Sequence, residues 1–411
     1  MRRFLAVPAA AAMLAACSSG GGTAGPTTVQ QSPSDVASTA SASAVTTASA
    51  SPSPSTSPSP AAPVARLAYA TPSAVFVVGL DASGQATAPA EQVSDTIPPS
   101  PGGISDLQWS PAGRYLMWSQ LAPGTEGIAY GVYDSTTDKH IVVNGPTNGA
   151  AGASIGNTGL MVLTDDTLKV YDGQGTLDSA VSGITFQGKV VTLDSPGDGQ
   201  LLGEVAGSEP GGILLTVSTS QGSAPDAHVV ELNASSKTAI DLGSIDPSQA
   251  PLVNGGAGRD GYLALEDGDH TDGCGLPPAS SVLVVTPAQP ATAIALPPVA
   301  TGIARAIGLE VSSDHVVGAS LVACGQGHGT GYPTDFAELT GTAWHVVVND
   351  AIDASRGPGG LLAYVHGRVG GEGEKYGPRG DQHLKIVTKS GTQAADLGGP
   401  VSAVLFAPAA H

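Results

Sequence analysis

Val401-Ser-Ala-Val-Leu-Phe-Ala-Pro408 reads like Ile104-Ser-Asp-Leu-Gln-Trp-Ser-Pro111. Both are short β-runs that end in a small residue and a proline. The second is followed by a Gly-marked β-run, Gly113-Arg-Tyr-Leu-Met-Trp118. The first has no such sequel downstream, whereas Arg66-Leu-Ala-Tyr-Ala70 reads like its continuation. One repeat unit is therefore split between the two ends of a domain. That domain closes on itself, with its last strand completing a sheet begun by its first.

Between these ends one unit recurs: an apolar run, a polar turn and a second short apolar run. It appears at Ala74–Gly84, Tyr130–Thr137, Leu168–Gly175 and His228–Ser236, then at Ser281–Pro287, Phe336–Gly341 and Leu384–Gly391. A Gly-marked β-run precedes most copies, at Gly113–Trp118, Gly159–Leu163, Gly199–Leu202, Gly261–Leu265 and Gly360–Tyr364. Asp314–Gly318 is a variant. Seven units over residues 66–411 give a period in the range of propeller blades, four short strands each. The expected fold is all-β: a seven-bladed β-propeller with N-/C-terminal blade closure, preceded by a disordered linker. A pair of β-sandwiches is the competing arrangement.

Composition removes several functions. Lys+Arg number 16 against 35 Asp+Glu, a net charge of -19, so no basic patch is available for phosphates and nucleic acid is excluded as a partner. With 12% charged residues the chain cannot supply the Glu, Lys and Arg of a coiled coil. Its 41% hydrophobic content can build a core.

The first residues read as an address. Arg2 and Arg3 precede an apolar stretch, Phe4–Ala16, too short to span a bilayer as an ordinary helix. Leu14-Ala15-Ala16-Cys17 resembles a bacterial lipobox. That resemblance implies a signal peptide over 1–16, cleavage before Cys17, and diacylglycerol on the Cys17 sulfur. The expected location is the extracytoplasmic face of the cell membrane. Residues 17–65 are mostly Ser, Thr, Ala, Pro and Gly with one charge, Asp35, and cannot bury enough apolar surface to offset ordering entropy. They read as a disordered tether, stiffened toward polyproline II by the Ser-Pro run at 51–60.

Trp109-Ser-Pro-Ala-Gly-Arg-Tyr-Leu116 resembles the WSPDGK-x-L turn of TolB-like, WD-repeat-like propellers, with Ala112 where that family has Asp. The resemblance implies a fold and a tendency to serve as a binding platform, not a reaction.

Candidate functional residues gather in three long Gly-rich connections, Glu266–Ser280, Leu321–Asp335 and Val365–Gln382. In a propeller, equivalent connections share one face, and elaborated loops on a compact scaffold are where function concentrates. This rim holds Asp267, Asp269, His270, Asp272, His328, His366, Glu372, Glu374 and Arg379, and is expected to meet a protein or small-molecule partner. Cys274 and Cys324 sit in equivalent connections. With Cys17 taken by lipid they are an even pair outside the cytoplasm, which favours a disulfide. The mirror spacings His270-x3-Cys274 and Cys324-x3-His328 keep a zinc site open as the competing reading. Asp267-Gly-Asp-His-Thr-Asp-Gly273 is an incomplete calcium loop with no twelfth-position Glu. No cofactor is expected, with calcium or zinc at the rim as the exceptions. Gly152-Ala-Ser-Ile-Gly156 matches G-x-S-x-G, but a turn and a strand follow it rather than the helix a nucleophile elbow needs. With no complete catalytic motif, the reading favours a binding scaffold. The alternative is an extracytoplasmic hydrolase or lyase acting in the propeller channel.

Overall fold

The structure is a computed structural model. It describes residues 62–97, 104–122, 127–145, 151–193, 200–209, 212–218, 227–245, 262–266, 279–286, 289–295, 304–311, 316–323, 333–369 and 378–408. Residues 1–61, with the lipobox, Cys17 and nearly all of the linker, lie outside them.

Apart from one short 3-10 turn at Pro358–Gly360, every described element is a β-strand. The first sheet contains β1 (Ala65–Ala70), β2 (Val75–Leu80) and β3 (Glu91–Gln92). The second runs β4 (Ser105–Trp109), β5 (Tyr115–Leu121), β6 (Ile128–Asp134), β7 (Lys139–Asn144). The third runs β8 (Ala151–Ile155), β9 (Leu160–Thr164), β10 (Thr167–Tyr171), β11 (Leu177–Ser182). The fourth has six strands: β12 (Thr185–Phe186), β13 (Lys189–Thr192), β14 (Gln200–Glu209), β15 (Gly212–Ser218), β16 (Ala227–Leu232) and β17 (Ile240–Ile245). The fifth shows three, β18 (Tyr262–Glu266), β19 (Ala279–Thr286) and β20 (Gln289–Ala295). The sixth is β21 (Ala304–Val311), β22 (Val317–Ala323), β23 (Pro333–Thr340), β24 (Ala343–Asn349). The seventh is β25 (Ala351–Arg356), β26 (Leu362–Val369), β27 (Pro378–Val387), β28 (Gln393–Asp396). The last strand, β29 (Ala403–Phe406), returns to the first sheet, whose order is β29-β1-β2-β3.

The closing register is antiparallel, with Leu67 opposite Phe406 and Ala70 opposite Ala403. Successive sheets pack in a cycle. β29 lies on β4, β5 on β8, β8 on β14, β17 on β20, β18 on β21, β23 on β25, and β25 on β29 again. Seven sheets in a closed ring, each a strand-by-strand meander, is a β-propeller. The seven sequence repeats fall on one strand of each sheet: β2, β6, β10, β16, β19, β23 and β27. One marker is corrected. Gly199–Leu202 leads into β14, and the strand that precedes the repeat strand β16 is β15. The period was broken there by the extra hairpin β12–β13, whose second strand runs parallel to β14.

The described core lies between sheets, where facing side chains of neighbouring sheets pack. Leu67, Leu80, Val365, Ile386 and Phe406 join the seventh sheet to the first. Val75, Trp109, Leu116 and Trp118 join the first to the second. Met117, Val132, Ile155 and Val162 join the second to the third. The fully buried Trp118 is opposite Gly131 in the β5–β6 register. A Cβ on Gly131 would fall inside the indole ring, so the glycine is the space into which the tryptophan folds. The indole N–H in turn donates to Gln120 Oε1 at 2.8 Å.

Gly131→Ala is therefore expected to destabilise the propeller by roughly 1–3 kcal/mol through overpacking. Urea unfolding would report a lower midpoint with an unchanged slope. A midpoint equal to that of the native protein would mean that the indole has other room.

Candidate functional site

The Trp109–Leu116 turn ties three sheets together. Ser110 Oγ accepts the Tyr115 N–H at 3.0 Å, and Gly113, at φ +66, reverses the chain in a conformation that disfavours other residues. Arg66 donates to the Gly113 carbonyl at 2.6 Å from the first sheet. Asn157 Oδ1 accepts the Ala112 N–H at 2.7 Å from the third. Arg114 holds Asp134 through two bonds, 3.0 Å and 2.8 Å. That pairing outweighs desolvation and, with the Thr136 N–H, draws the Asp134 carboxyl down to about 2.

Inner strands clasp one another by a repeated device. In a closed ring the innermost strand has one edge unpaired, and its N–H groups need partners. Val404 N–H donates to Asp353 Oδ2 at 2.8 Å, and Phe406 N–H to Ser355 Oγ at 3.0 Å. Trp109 Nε1 donates to the Leu405 carbonyl at 3.2 Å. Ile155 N–H and Ser154 Oγ both donate to Gln108 Oε1, at 3.3 Å and 3.0 Å. Aligned on Pro111, Pro358 and Pro408, the residues Gln108, Ser355 and Leu405 share one position. Its side chain or carbonyl serves the neighbouring strand. Ser154 is thus a buried strap in β8, hydrogen-bonded to Gln108 and, among the described residues, paired with no histidine.

Asp353 is the charged member of this wall. Solvent reaches part of the side chain, yet protein crowds the carboxyl. Desolvation raises it to about 6 against the opposing bonds from the Val404 and Ala354 N–H groups. Sequence reading missed Asp353, although the shared Pro spacing of its strand was available.

A second device joins the repeat-bearing strand to the strand after it, β16 to β17 and β27 to β28. His228 Nδ1 lies 3.1 Å from Asp241 Oδ1, and His383 Nδ1 lies 3.2 Å from Asp396 Oδ1. In each case the glycine two residues on, Gly243 or Gly398, donates its N–H to the same oxygen, at 2.9 Å and 3.0 Å.

The rim is narrower than its sequence outline. Strand pairing continues into it, leaving connections at 267–278, 324–332 and 370–377. A fourth, 219–226 between β15 and β16, was not anticipated. These four lead into the repeat-bearing strands β16, β19, β23 and β27 in four consecutive sheets, whereas the third sheet turns in two residues before β10, with Asp165 at φ 51. Asp267, Asp269, His270, Asp272, Cys274, Cys324, His328, Glu372 and Glu374 lie outside the described residues, and so does the proposed disulfide. His366 and Arg379 are on paired strands. His366 in β26 faces Ala351 and His383, and Arg379 in β27 is in register with Arg368.

The Asp353 carboxyl has a pH signature. A raised acid is protonated more readily in the folded state, so its contribution is complete below about 4 and is lost as pH rises toward about 6. Asp353→Asn keeps an acceptor for Val404 and removes the titration. The thermal midpoint of the variant, minus that of the native protein, is expected to grow across this window and stay level above it. A constant difference would show that Asp353 does not titrate there.

No protein-family model matches the chain, and no curated protein matches it. Among solved structures it is similar to TolB from Acinetobacter baumannii, at 12% identity and TM-score 0.42 over 84% of this chain and 67% of that one. It is similar to the β-propeller domain of the Trilobed protease from Pyrococcus furiosus, at 10% and 0.43 over 80% and 91%. It is also similar to oligogalacturonate lyase from Vibrio parahaemolyticus, at 9% and 0.45 over 81% and 85%. The likeness is one of fold, and the fold itself stands on the ring of sheets and its closing strand.

Proposed function

We propose that this protein is a lipid-anchored extracytoplasmic scaffold whose propeller presents one elaborated arc of its rim to a protein or small-molecule partner. The observation that carries this reading is the distribution of connection lengths. The strand ends bounding 219–226, 267–278, 324–332 and 370–377 each lead into the repeat-bearing strand, β16, β19, β23 or β27, in four neighbouring sheets. A ring stabilised by its inter-sheet core has no structural need for long connections on one arc, and positioned loops on a rigid scaffold carry binding. Acyl chains on Cys17 supply the anchor, and residues 17–65 supply a tether of up to ~150 Å at ~3.1 Å per residue, enough to lift the ring clear of lipid headgroups. The chain's charge of -19 directs the search toward partners other than nucleic acid. The signal peptide, the Cys274–Cys324 bridge and the rim acids and histidines belong to this proposal.

The alternative, a hydrolase or lyase acting at the inner strands, has one observation in its favour. Asp353 is a carboxyl held near 6 on an inner strand, the range in which an acid can give and take a proton. Its Oδ2 is engaged by Val404, which leaves a structural duty to explain the same burial.

Cys17→Ala is expected to move the protein from the membrane to the soluble fraction, and retention in the membrane would overturn the anchor. Cross-linking on intact cells, followed by recovery and mass spectrometry, tests the rim. A partner captured by the native protein should be lost when 267–278 and 370–377 are shortened. Equal capture by both forms would reject the arc as the binding surface.

A further inference from the structure

We propose that His366 and His383 form a two-imidazole site for a divalent first-row transition ion on the seventh sheet, with Asp396 orienting His383 from the adjoining strand. The two histidines are directly opposite in the β26–β27 register. The Leu384 N–H and carbonyl bond Gly398 and Leu397 on the far side, and the Gly367 N–H bonds Asp350. The main-chain groups of His366 and His383 therefore face each other, as a hydrogen-bonded pair with Cα atoms about 5.5 Å apart. Their side chains leave the same face of the sheet, where one ion at ~2.0–2.1 Å from each nitrogen would bridge them.

Two features point to a ligand. First, among the described residues His366 Nδ1 is buried with no hydrogen-bond partner, an arrangement with a desolvation cost unless something occupies it. The contact this ring does make is edge-on to Tyr364, at 6.2 Å between centroids, and engages no nitrogen. Second, His383 is prepared as a ligand would be. Its Nδ1 lies 3.2 Å from Asp396 Oδ1, which also accepts the Gly398 N–H at 3.0 Å. With Nδ1–H donated to this carboxylate, the Nε2 lone pair of His383 is left for an ion. A carboxylate behind a histidine is the usual support of a metal-bound imidazole.

The fourth sheet provides an internal comparison. His228, Asp241 and Gly243 repeat the clasp of His383, Asp396 and Gly398, but the residue opposite His228 is Val217. The clasp alone is thus a structural device, and the second imidazole distinguishes the seventh sheet. Two neutral imidazoles rank Cu2+ above Ni2+ and Zn2+, and disfavour Mg2+ and Ca2+.

The test is a Cu2+ titration of the full chain, stripped of metal in detergent, read by electron paramagnetic resonance. One equivalent is expected to show coupling to two imidazole nitrogens. His383→Gln should remove it, and so should His366→Gln. His228→Gln should keep it, and Asp396→Asn should weaken it by about 10–100-fold. His383 is 42% exposed, so its variant decides the matter even if circular dichroism finds His366→Gln misfolded. Survival of the two-nitrogen signal in His383→Gln, its loss in His228→Gln, or its absence from the native protein would overturn the site.

Discussion

The pairing of β29 with β1 is the constraint on which the ring depends. It joins Ala403–Phe406 to Leu67–Ala70 and converts a row of sheets into a cycle. Val404 and Phe406 are nearly fully buried there, and burying side chains of this kind contributes roughly 1.5–3 kcal/mol each. That sum is a sizeable share of the net stability of a domain. The unpaired edge of β29 is then satisfied from the neighbouring sheet by Asp353 and Ser355, so closure rests on apolar packing and on directed bonds together.

The sequence exposed this plan where side-chain period and turn chemistry agree. The apolar repeat strands were legible because their side chains pack against neighbouring sheets and each run ends in a Gly- or Asp-marked turn. The split repeat was legible because Val401–Pro408 keeps the small-residue-plus-proline ending of Ile104–Pro111. Gly199 misled because a glycine before an apolar run looks alike before any strand, and the hairpin at Thr185–Thr192 shifts the count. The candidate site was less legible. Strand ends depend on how far pairing persists, and no single-strand pattern places His366 opposite His383. Asp353 was invisible because its environment is made by a strand about fifty residues away.

Two kinds of polar group are used inside this fold. Gln108, Ser154, Ser355 and Asp353 knit inner strands together, with an uncharged side chain at three of the four positions. The His–Asp clasps lie farther from the inner strands, where water moderates the cost of charge. The buried Asp134 is instead compensated by two bonds from Arg114, and Glu338 by Arg356. A buried carboxylate with a guanidinium against it stays ionised, whereas Asp353, held by N–H groups, has its carboxyl raised.

The bond from Ser402 Oγ to the Ala70 carbonyl spans 332 positions of chain. While a ribosome is still making the intervening sheets, β1 has its partner β2 but no inner neighbour. Its free edge can be captured by any extended segment, including one from another copy. The order of synthesis thus leaves the ring open until its last strand has been made. It also makes premature termination before Ala403 more harmful than the loss of so few residues would suggest, since every sheet would be present and none would be locked in place.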